Sequence, residues 1–96
     1  MPASPLSSSE IDSRLRSLSG WELEKGEISR TFAFPDFRGS LDFVNRTGEL
    51  SEAAGHHPDI DIRYNKVKLT LVTHDAGGLT AMDFDLAEKI NALHRT

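Results

Sequence analysis

The chain has 96 residues, of which 38% are hydrophobic and 27% are charged, so we expect a single globular domain spanning residues 1–96. Its formal net charge of -4 and the scattered positions of its basic residues argue against nucleic acid or an anionic membrane as a partner. Because the sequence shows no cysteine, secretion signal or apolar membrane span, we expect a cytoplasmic protein without disulfides or thiolate metal sites.

A helix and a β-hairpin are predicted for the first third of the chain. Ser7 and Glu10 have the spacing of a capping box at a helix start, and Gly20 suits a helix end. The inward face of this helix consists of Ile11, Leu15 and Leu18. Alternating apolar residues predict two strands within residues 21–34, joined by a turn at residues 25–26. We expect Trp21 in the core, with stacking on a ligand as the alternative.

A second amphipathic helix is predicted from Phe37 to Ala54. Residues at spacings of four and three form its apolar face. These residues are Phe37, Leu41, Val44 and Gly48. Glycine inside a helix costs about 1 kcal/mol relative to alanine, so we expect that another segment packs closely against Gly48.

The rest of the chain predicts a second hairpin and a last helix. Apolar and polar residues alternate within 60–71, with a turn near Asn65 and Lys66. Thr80 and Asp83 have cap spacing at the start of the last helix. Its inward residues are Phe84, Ala87, Ile90 and Leu93. The fold class is therefore α+β in the order α-β-β-α-β-β-α, with a four-stranded antiparallel sheet and three helices packed on one face.

The most informative feature is a group of histidines. His56, His57 and His74 lie in one short stretch, and Pro58 follows the pair. An unperturbed histidine pKa of about 6.5 permits proton transfer at neutral pH. The residue before a proline is extended, so the paired side chains should point to opposite sides. His74 has the solvent-facing parity of the fourth strand and should be accessible.

Three histidines also permit two other interpretations. A hydrolytic zinc centre uses such ligands, but adjacent extended residues do not readily direct both rings at one ion, and neither HxH nor HExxH occurs. Single histidines are commonly polar loop residues, although a group of three makes this interpretation weaker. We therefore expect acid and base catalysis without a metal or cofactor.

The segment EAAGHHPDIDIRYNKVKLTLVTHDAGGLT, from Glu52 to Thr80, resembles the signature region of the pterin-4a-carbinolamine dehydratases. The similarity continues less tightly through Trp21, Phe37 and Asp83. It implies a hydro-lyase that removes water from a 4a-hydroxytetrahydropterin and gives the quinonoid dihydropterin, in tetrahydrobiopterin recycling. It also implies a homodimer or homotetramer. The alternative is an interaction protein, because relatives include a transcription-factor partner and enzyme-assembly factors.

The resemblance implies roles for particular residues by motif position. The catalytic set is His56, His57 and His74, with acid and base not distinguished. The substrate-binding set is Glu52, Pro58 and Asp83. For Glu52, a hydrogen bond to the His56 ring, contact with the pterin amino group and a solvated helix position all stay open. Pro58 is expected to shape the loop, and a helix cap also explains Asp83. His94 is expected outside the site.

Overall fold

The computed structural model describes residues 4–95, in which three helices and four strands alternate. In chain order the elements are α1 (Ser8–Arg16), β1 (Glu22–Glu24), β2 (Glu27–Ala33), α2 (Phe37–Ala54), β3 (Asp59–Arg63), β4 (Lys66–Leu71) and α3 (Ala81–Arg95). The strands form one antiparallel sheet in the order β1-β2-β4-β3. The predicted α+β order is confirmed. None of the described helices is long and apolar enough to cross a membrane.

The core lies between one face of the sheet and the helices. β2 and β4 are the central strands, where Ile28 pairs with Leu71 and Phe32 pairs with Val67. Alternate residues of these strands therefore face inward. Core side chains that are at most 1% exposed are Ile28, Phe32, Val67, Leu69, Leu71, Phe84, Leu86, Ala87 and Ile90. Trp21 is also buried in this core, as expected.

The first helix begins as predicted but ends earlier. The Ser7 hydroxyl accepts a hydrogen bond from the Glu10 N–H at 3.2 Å, and the Glu10 carboxylate accepts one from the Ser7 N–H at 2.9 Å. This confirms the capping box. The prediction of an end near Gly20 is wrong, because α1 ends at Arg16. Gly20 has φ of 85° in the following turn, where a Cβ would lie 2.7 Å from the Arg30 side chain, so glycine is required there.

The second hairpin turns at Tyr64 and Asn65, one residue earlier than predicted. Tyr64 has φ of 51°, a left-handed conformation that is uncommon for a bulky residue. Three hydrogen bonds hold the turn. Ser40 Oγ donates to the Tyr64 carbonyl at 2.7 Å, the Phe34 N–H donates to the Asn65 carbonyl at 2.8 Å, and the Asn65 side-chain amide donates to the Phe34 carbonyl at 2.9 Å. These long-range bonds are invisible in the local pattern.

The apolar face predicted for α2 is wrong at Phe37 and Leu41, whereas Val44 is partly buried and packs against the core. Phe37 and Leu41 are 45% and 41% exposed. The residues that α2 buries are Ser40, Phe43, Thr47 and Ser51. Small side chains bring the helix backbone close to the core, and the Ser40 and Ser51 hydroxyls donate to backbone carbonyls, which removes the cost of burying them. Of the large apolar residues of α2, Phe43 is buried in the core, whereas Phe37 and Leu41 lie on the outer side.

The apolar residues of β3 lie on the core-facing side of the sheet but are also exposed. Ile60 and Ile62 are 41% and 37% exposed, because β3 is an edge strand of the sheet. On the opposite edge, β1 exposes Leu23 by 45%. An edge strand with exposed apolar side chains is a surface that proteins normally cover.

Replacing Gly48 with alanine should raise the free energy of unfolding by about 1 kcal/mol, because alanine is the better helix former. A Cβ at Gly48 would meet no atom within 4 Å, so the close neighbour expected from the sequence is absent from the described chain. Urea unfolding at equal protein concentration measures the change. Gly39→Ala is the matched control, since its Cβ would lie 2.9 Å from Phe34, and no gain is expected. A loss of stability in Gly48→Ala would contradict the prediction.

Candidate active site

Chain reversals bring the histidines to one end of the sheet. α2 ends at Gly55, which has φ of 63°, and the His56 N–H donates to the Ser51 carbonyl at 3.1 Å. This is a left-handed helix cap, and it turns the chain toward β3. Because β3 and β4 are antiparallel and Asp59 pairs with Thr70, the residues before β3 lie beside those after β4. The topology thus places the histidine pair near His74.

All of the predicted catalytic histidines line one cleft. The cleft has a cavity volume of about 240 Å³, and we call it the histidine cleft. Its lining consists of Gly55, His56, His57, Val72, Thr73, His74 and Asp75. Glu52, Pro58 and Asp83 do not line it. Asp83 contacts His56 and Glu52 contacts His57, although neither carboxylate lines the cleft. Pro58 lies in the loop between His57 and β3.

His56 is bonded to a completely buried carboxylate. His56 Nε2 lies 2.5 Å from Asp83 Oδ1, and Asp83 is 0% exposed. The other carboxylate oxygen, Oδ2, accepts from Thr73 Oγ1 and from the Thr80 N–H, each at 2.9 Å. Because a carboxylate only accepts, Nε2 carries the proton of this bond and Nδ1 is left as the basic nitrogen of a neutral ring. The arrangement fixes both the tautomer and the orientation of His56.

His57 is bonded to a different carboxylate. Its Nε2 contacts Glu52 Oε2, and the two side chains are 60% and 76% exposed. The sequence spacing suggested a bond from Glu52 to His56. Glu52 contacts His57 and not His56, because the cap at Gly55 reverses the chain between α2 and the two histidines. The two neighbouring histidines thus bond to carboxylates on α2 and α3, consistent with side chains that point to opposite sides.

His74 lies in a loop, which corrects its predicted place on the fourth strand. β4 ends at Leu71, and His74 begins a single 3-10 turn, His74–Ala76. The loop is closed by backbone hydrogen bonds between Thr73 and Gly78 at 3.3 and 3.4 Å. His74 is exposed, so its ring is accessible from solvent although it is not on a strand.

Thr73 was missed by sequence reasoning, and Thr80 was recognised only as a helix cap. Thr73 Oγ1 and Thr80 Oγ1 lie 2.8 Å apart, and both residues contact Asp83. The cap spacing of Thr80 and Asp83 indicated part of this cluster. The cap bonds are present, since the Thr80 N–H donates to Asp83 Oδ2 and the Met82 N–H donates to Thr80 Oγ1 at 3.2 Å. Thr73 carried no signal, since it lies in the loop after β4 and contacts Asp83 ten positions later, in the first turn of α3.

His94 lies outside the site, as expected. Its ring packs edge-on against Phe32 and Phe34, with centroid distances of 4.9 and 5.9 Å. The pKa of His94 is lowered below its usual value, mainly by burial and to a smaller extent by the nearby positive charge of Arg30. Within residues 4–95, no group of three histidine, aspartate or glutamate side chains could hold a metal ion.

Comparison with known proteins identifies the family. The family model for pterin 4 alpha carbinolamine dehydratase matches residues 4–93. A protein of Acidobacterium capsulatum named "Putative pterin-4-alpha-carbinolamine dehydratase" is 60% identical over 83 residues, covering 86% of this chain and 90% of the relative. A protein of the same name from Roseiflexus sp. is 54% identical over 91 residues, covering 95% of this chain and 98% of the relative.

Solved structures show the same fold. A transcriptional coactivator/pterin dehydratase from Brucella melitensis has a TM-score of 0.89 and 36% identity, covering 93% of this chain and 97% of its own. A pterin dehydratase-like protein that is a RuBisCO assembly factor in the alpha-carboxysome has a TM-score of 0.65 and 26% identity, covering 77% of this chain and 88% of its own. The chain therefore belongs to the pterin 4 alpha carbinolamine dehydratase family, whose enzymes are hydro-lyases.

Proposed function

We propose that the chain dehydrates a 4a-hydroxytetrahydropterin by histidine acid and base catalysis, without a cofactor. The observation that carries the proposal is the histidine cleft, in which His56, His57 and His74 surround one space. A buried carboxylate orients the first ring and an exposed carboxylate contacts the second. Such a set can donate a proton at one point of a substrate and accept one at another.

The reaction needs one acid and one base. The lone pair of ring nitrogen N5 forms a double bond to C4a as the C4a–O bond breaks, and the departing hydroxide takes a proton from the acid to leave as water. The base then takes the proton of N5, giving the quinonoid dihydropterin. One proton is given and one is taken, so the net proton count of the enzyme is unchanged, and the starting state returns when the base loses its proton to solvent and the acid regains one. No oxidant or reductant is needed.

We assign the base to His56, whose Nδ1 is the free nitrogen when Nε2 donates to Asp83. His57 and His74 line the rest of the cleft and supply the acid. Asp83 is completely buried, so we replace the predicted role in substrate binding by a positioning role. Glu52 contacts the His57 ring in an exposed pair, so it orients this ring less firmly than Asp83 orients His56.

A coupled assay tests the activity. A pterin-dependent aromatic amino acid hydroxylase generates the 4a-hydroxypterin, and its disappearance is followed by absorbance with and without catalytic amounts of this protein. We expect faster dehydration that is unchanged by a chelator. A rate equal to the uncatalysed one would overturn the proposal. The product would then serve a reductase that regenerates the tetrahydropterin, which is the recycling role that we propose in the cytoplasm.

We also propose that the protein is at least a homodimer. The apolar residues on the outer side of α2 and along β3 support this, since both surfaces are suited to a second copy. The exposed residues are Phe37, Leu41, Ile60 and Ile62. The same surfaces offer a place for a different protein, and one structural neighbour is titled a transcriptional coactivator/pterin dehydratase. That interaction role is the second candidate function.

Light scattering at micromolar concentration should give a mass of at least two chains. Ile62→Lys should shift the mass toward the monomer, because a buried lysine at an interface lacks a partner. Leu23→Lys, on the opposite edge strand and similarly exposed, is the control and should leave the mass unchanged. A monomeric parent protein would refute the homodimer.

A further inference from the structure

The buried Asp83 carboxylate is surrounded by hydrogen-bond donors. Its Oδ1 faces His56 Nε2, whereas its Oδ2 accepts from the Thr80 N–H and from Thr73 Oγ1, each at 2.9 Å. Asp83 also lies in the first turn of α3, where the helix dipole favours a negative charge. These donors and the dipole offset the cost of burying a charge, so Asp83 acts here as an acceptor.

The Thr73 hydroxyl can point in only one direction. A hydroxyl has a single proton and a carboxylate only accepts, so the Thr73 proton must point at Asp83 Oδ2. Thr73 Oγ1 and Thr80 Oγ1 lie 2.8 Å apart, and Thr80 must therefore be the donor of that bond. Thr80 Oγ1 in turn accepts from the Met82 N–H at 3.2 Å. The bonds thus form one directed chain, from the Met82 N–H through both hydroxyls to Asp83.

Thr73 joins this chain to the loop that carries His74. Its backbone N–H donates to the Gly78 carbonyl at 3.3 Å, and its carbonyl accepts from the Gly78 N–H at 3.4 Å. Thr73 lines the histidine cleft but is only 9% exposed. Because its hydroxyl proton is given to Asp83, the side chain has no proton to donate to a substrate. Thr73 is therefore placed to act through Asp83.

We propose that Thr73 is a positioning residue whose hydroxyl fixes the Nε2-protonated tautomer of His56 by orienting the Asp83 carboxylate. The importance of this tautomer for turnover rests on the proposed dehydratase function. With Thr73 and the Thr80 N–H both bonded to Oδ2, the carboxylate cannot turn, and Oδ1 is left to His56. Without the Thr73 hydroxyl, one donor remains on Oδ2 and the carboxylate can rotate away from the ring. His56 then exchanges between its two tautomers, and the nitrogen that we assign as the base carries a proton part of the time.

Thr73→Val tests the hydroxyl, because valine is close to threonine in shape but has no donor. We expect kcat for a 4a-hydroxytetrahydropterin to fall about 10-fold, the equivalent of one hydrogen bond to a charged group, with little change in KM. Thr73→Ser keeps the donor and should keep the parent kcat. Thr31→Val, at an exposed position of β2 outside the cleft, is the matched control and should also keep it.

Two kinetic results would overturn the proposal. A Thr73→Ser variant as slow as Thr73→Val would show that the hydroxyl is not the group that matters. A rise in KM at unchanged kcat in Thr73→Val would assign Thr73 to direct contact with the substrate. Circular dichroism establishes that each variant is folded. Where valine prevents folding, Thr73→Cys, whose thiol is a weak donor, replaces it with the same expected direction of change.

The tautomer is measured independently of turnover. Nitrogen NMR of the free protein at mildly alkaline pH distinguishes a protonated from an unprotonated ring nitrogen of His56. The parent protein and Thr73→Ser should carry the proton on Nε2 alone, and Thr73→Val should show a mixture. If the mixture is seen while the parent turns over no pterin, the proposed activity fails and the role of Thr73 in fixing the tautomer stands. A single Nε2-protonated tautomer in folded Thr73→Val would overturn that role while leaving the activity intact.

Two further variants separate positioning from stability. Thr80→Val removes the hydroxyl that accepts from the Met82 N–H but keeps both bonds to Asp83 Oδ2, so Tm should fall while kcat and the tautomer stay near those of the parent. Adding Thr73→Val to Asp83→Asn should lower kcat by about twofold at most, because both changes act on the same ring. A full further loss of about 10-fold in the double variant would show that Thr73 does not act through Asp83.

Discussion

Replacing His56 and His74 together with alanine should lower the rate of pterin dehydration by roughly 100- to 10,000-fold, the contribution of positioned acid and base groups. Both rings line the histidine cleft, and alanine removes the proton-transfer groups on two of its sides. The rate is measured with the hydroxylase-coupled assay at saturating pterin. KM should change less than kcat, because the lost groups act mainly while the C4a–O bond breaks.

The matched control is His94→Ala. His94 packs against Phe32, away from the cleft, so its loss should affect stability more than kcat. Circular dichroism and thermal unfolding establish that the double variant remains folded. A double variant that is folded and retains the parent kcat would exclude these histidines from the chemistry.

Replacing Asp83 with asparagine should lower kcat by roughly 100- to 10,000-fold, because it changes the tautomer of His56. The Thr80 N–H can only donate, and it lies 2.9 Å from Asp83 Oδ2, so the amide oxygen of asparagine must face it. The amide NH₂ then faces His56 Nε2, which must accept. The proton moves to Nδ1, and the nitrogen that we assign as the base is blocked.

Asp83→Ala should show a different combination of effects. It leaves the Thr80 N–H and the His56 ring without their buried partner, so we expect a loss of about 3 kcal/mol in the free energy of unfolding as well as low activity. Asp85→Asn, on the same helix with a side chain 62% exposed, is the control for both measurements. The positioning role predicts that Asp83→Asn alters kcat and its pH profile with little change in KM. A parent-like kcat and pH profile in the folded Asp83→Asn variant would contradict it.

Local patterns were sufficient for most of the secondary structure. The Ser7 capping box, the turn at Lys25 and the full extent of α2 follow from residues close together in the chain. The histidine pair was recognisable for the same reason, since its motif lies in one short segment. The buried face of α2 was not recognisable from the sequence, because two of its members, Ser40 and Ser51, are polar and are buried through hydrogen bonds to backbone carbonyls.

The sequence by itself determined the α+β order, the three histidines and the family resemblance, because each depends on residue types at short spacings. Only the tertiary structure decided which carboxylate serves which histidine. Asp83 is 27 positions from His56 and reaches it because α3 packs behind the loop, whereas Glu52 reaches His57 because Gly55 reverses the chain. Contacts between distant segments depend on how the elements pack, and packing is a property of the whole core rather than of any one motif.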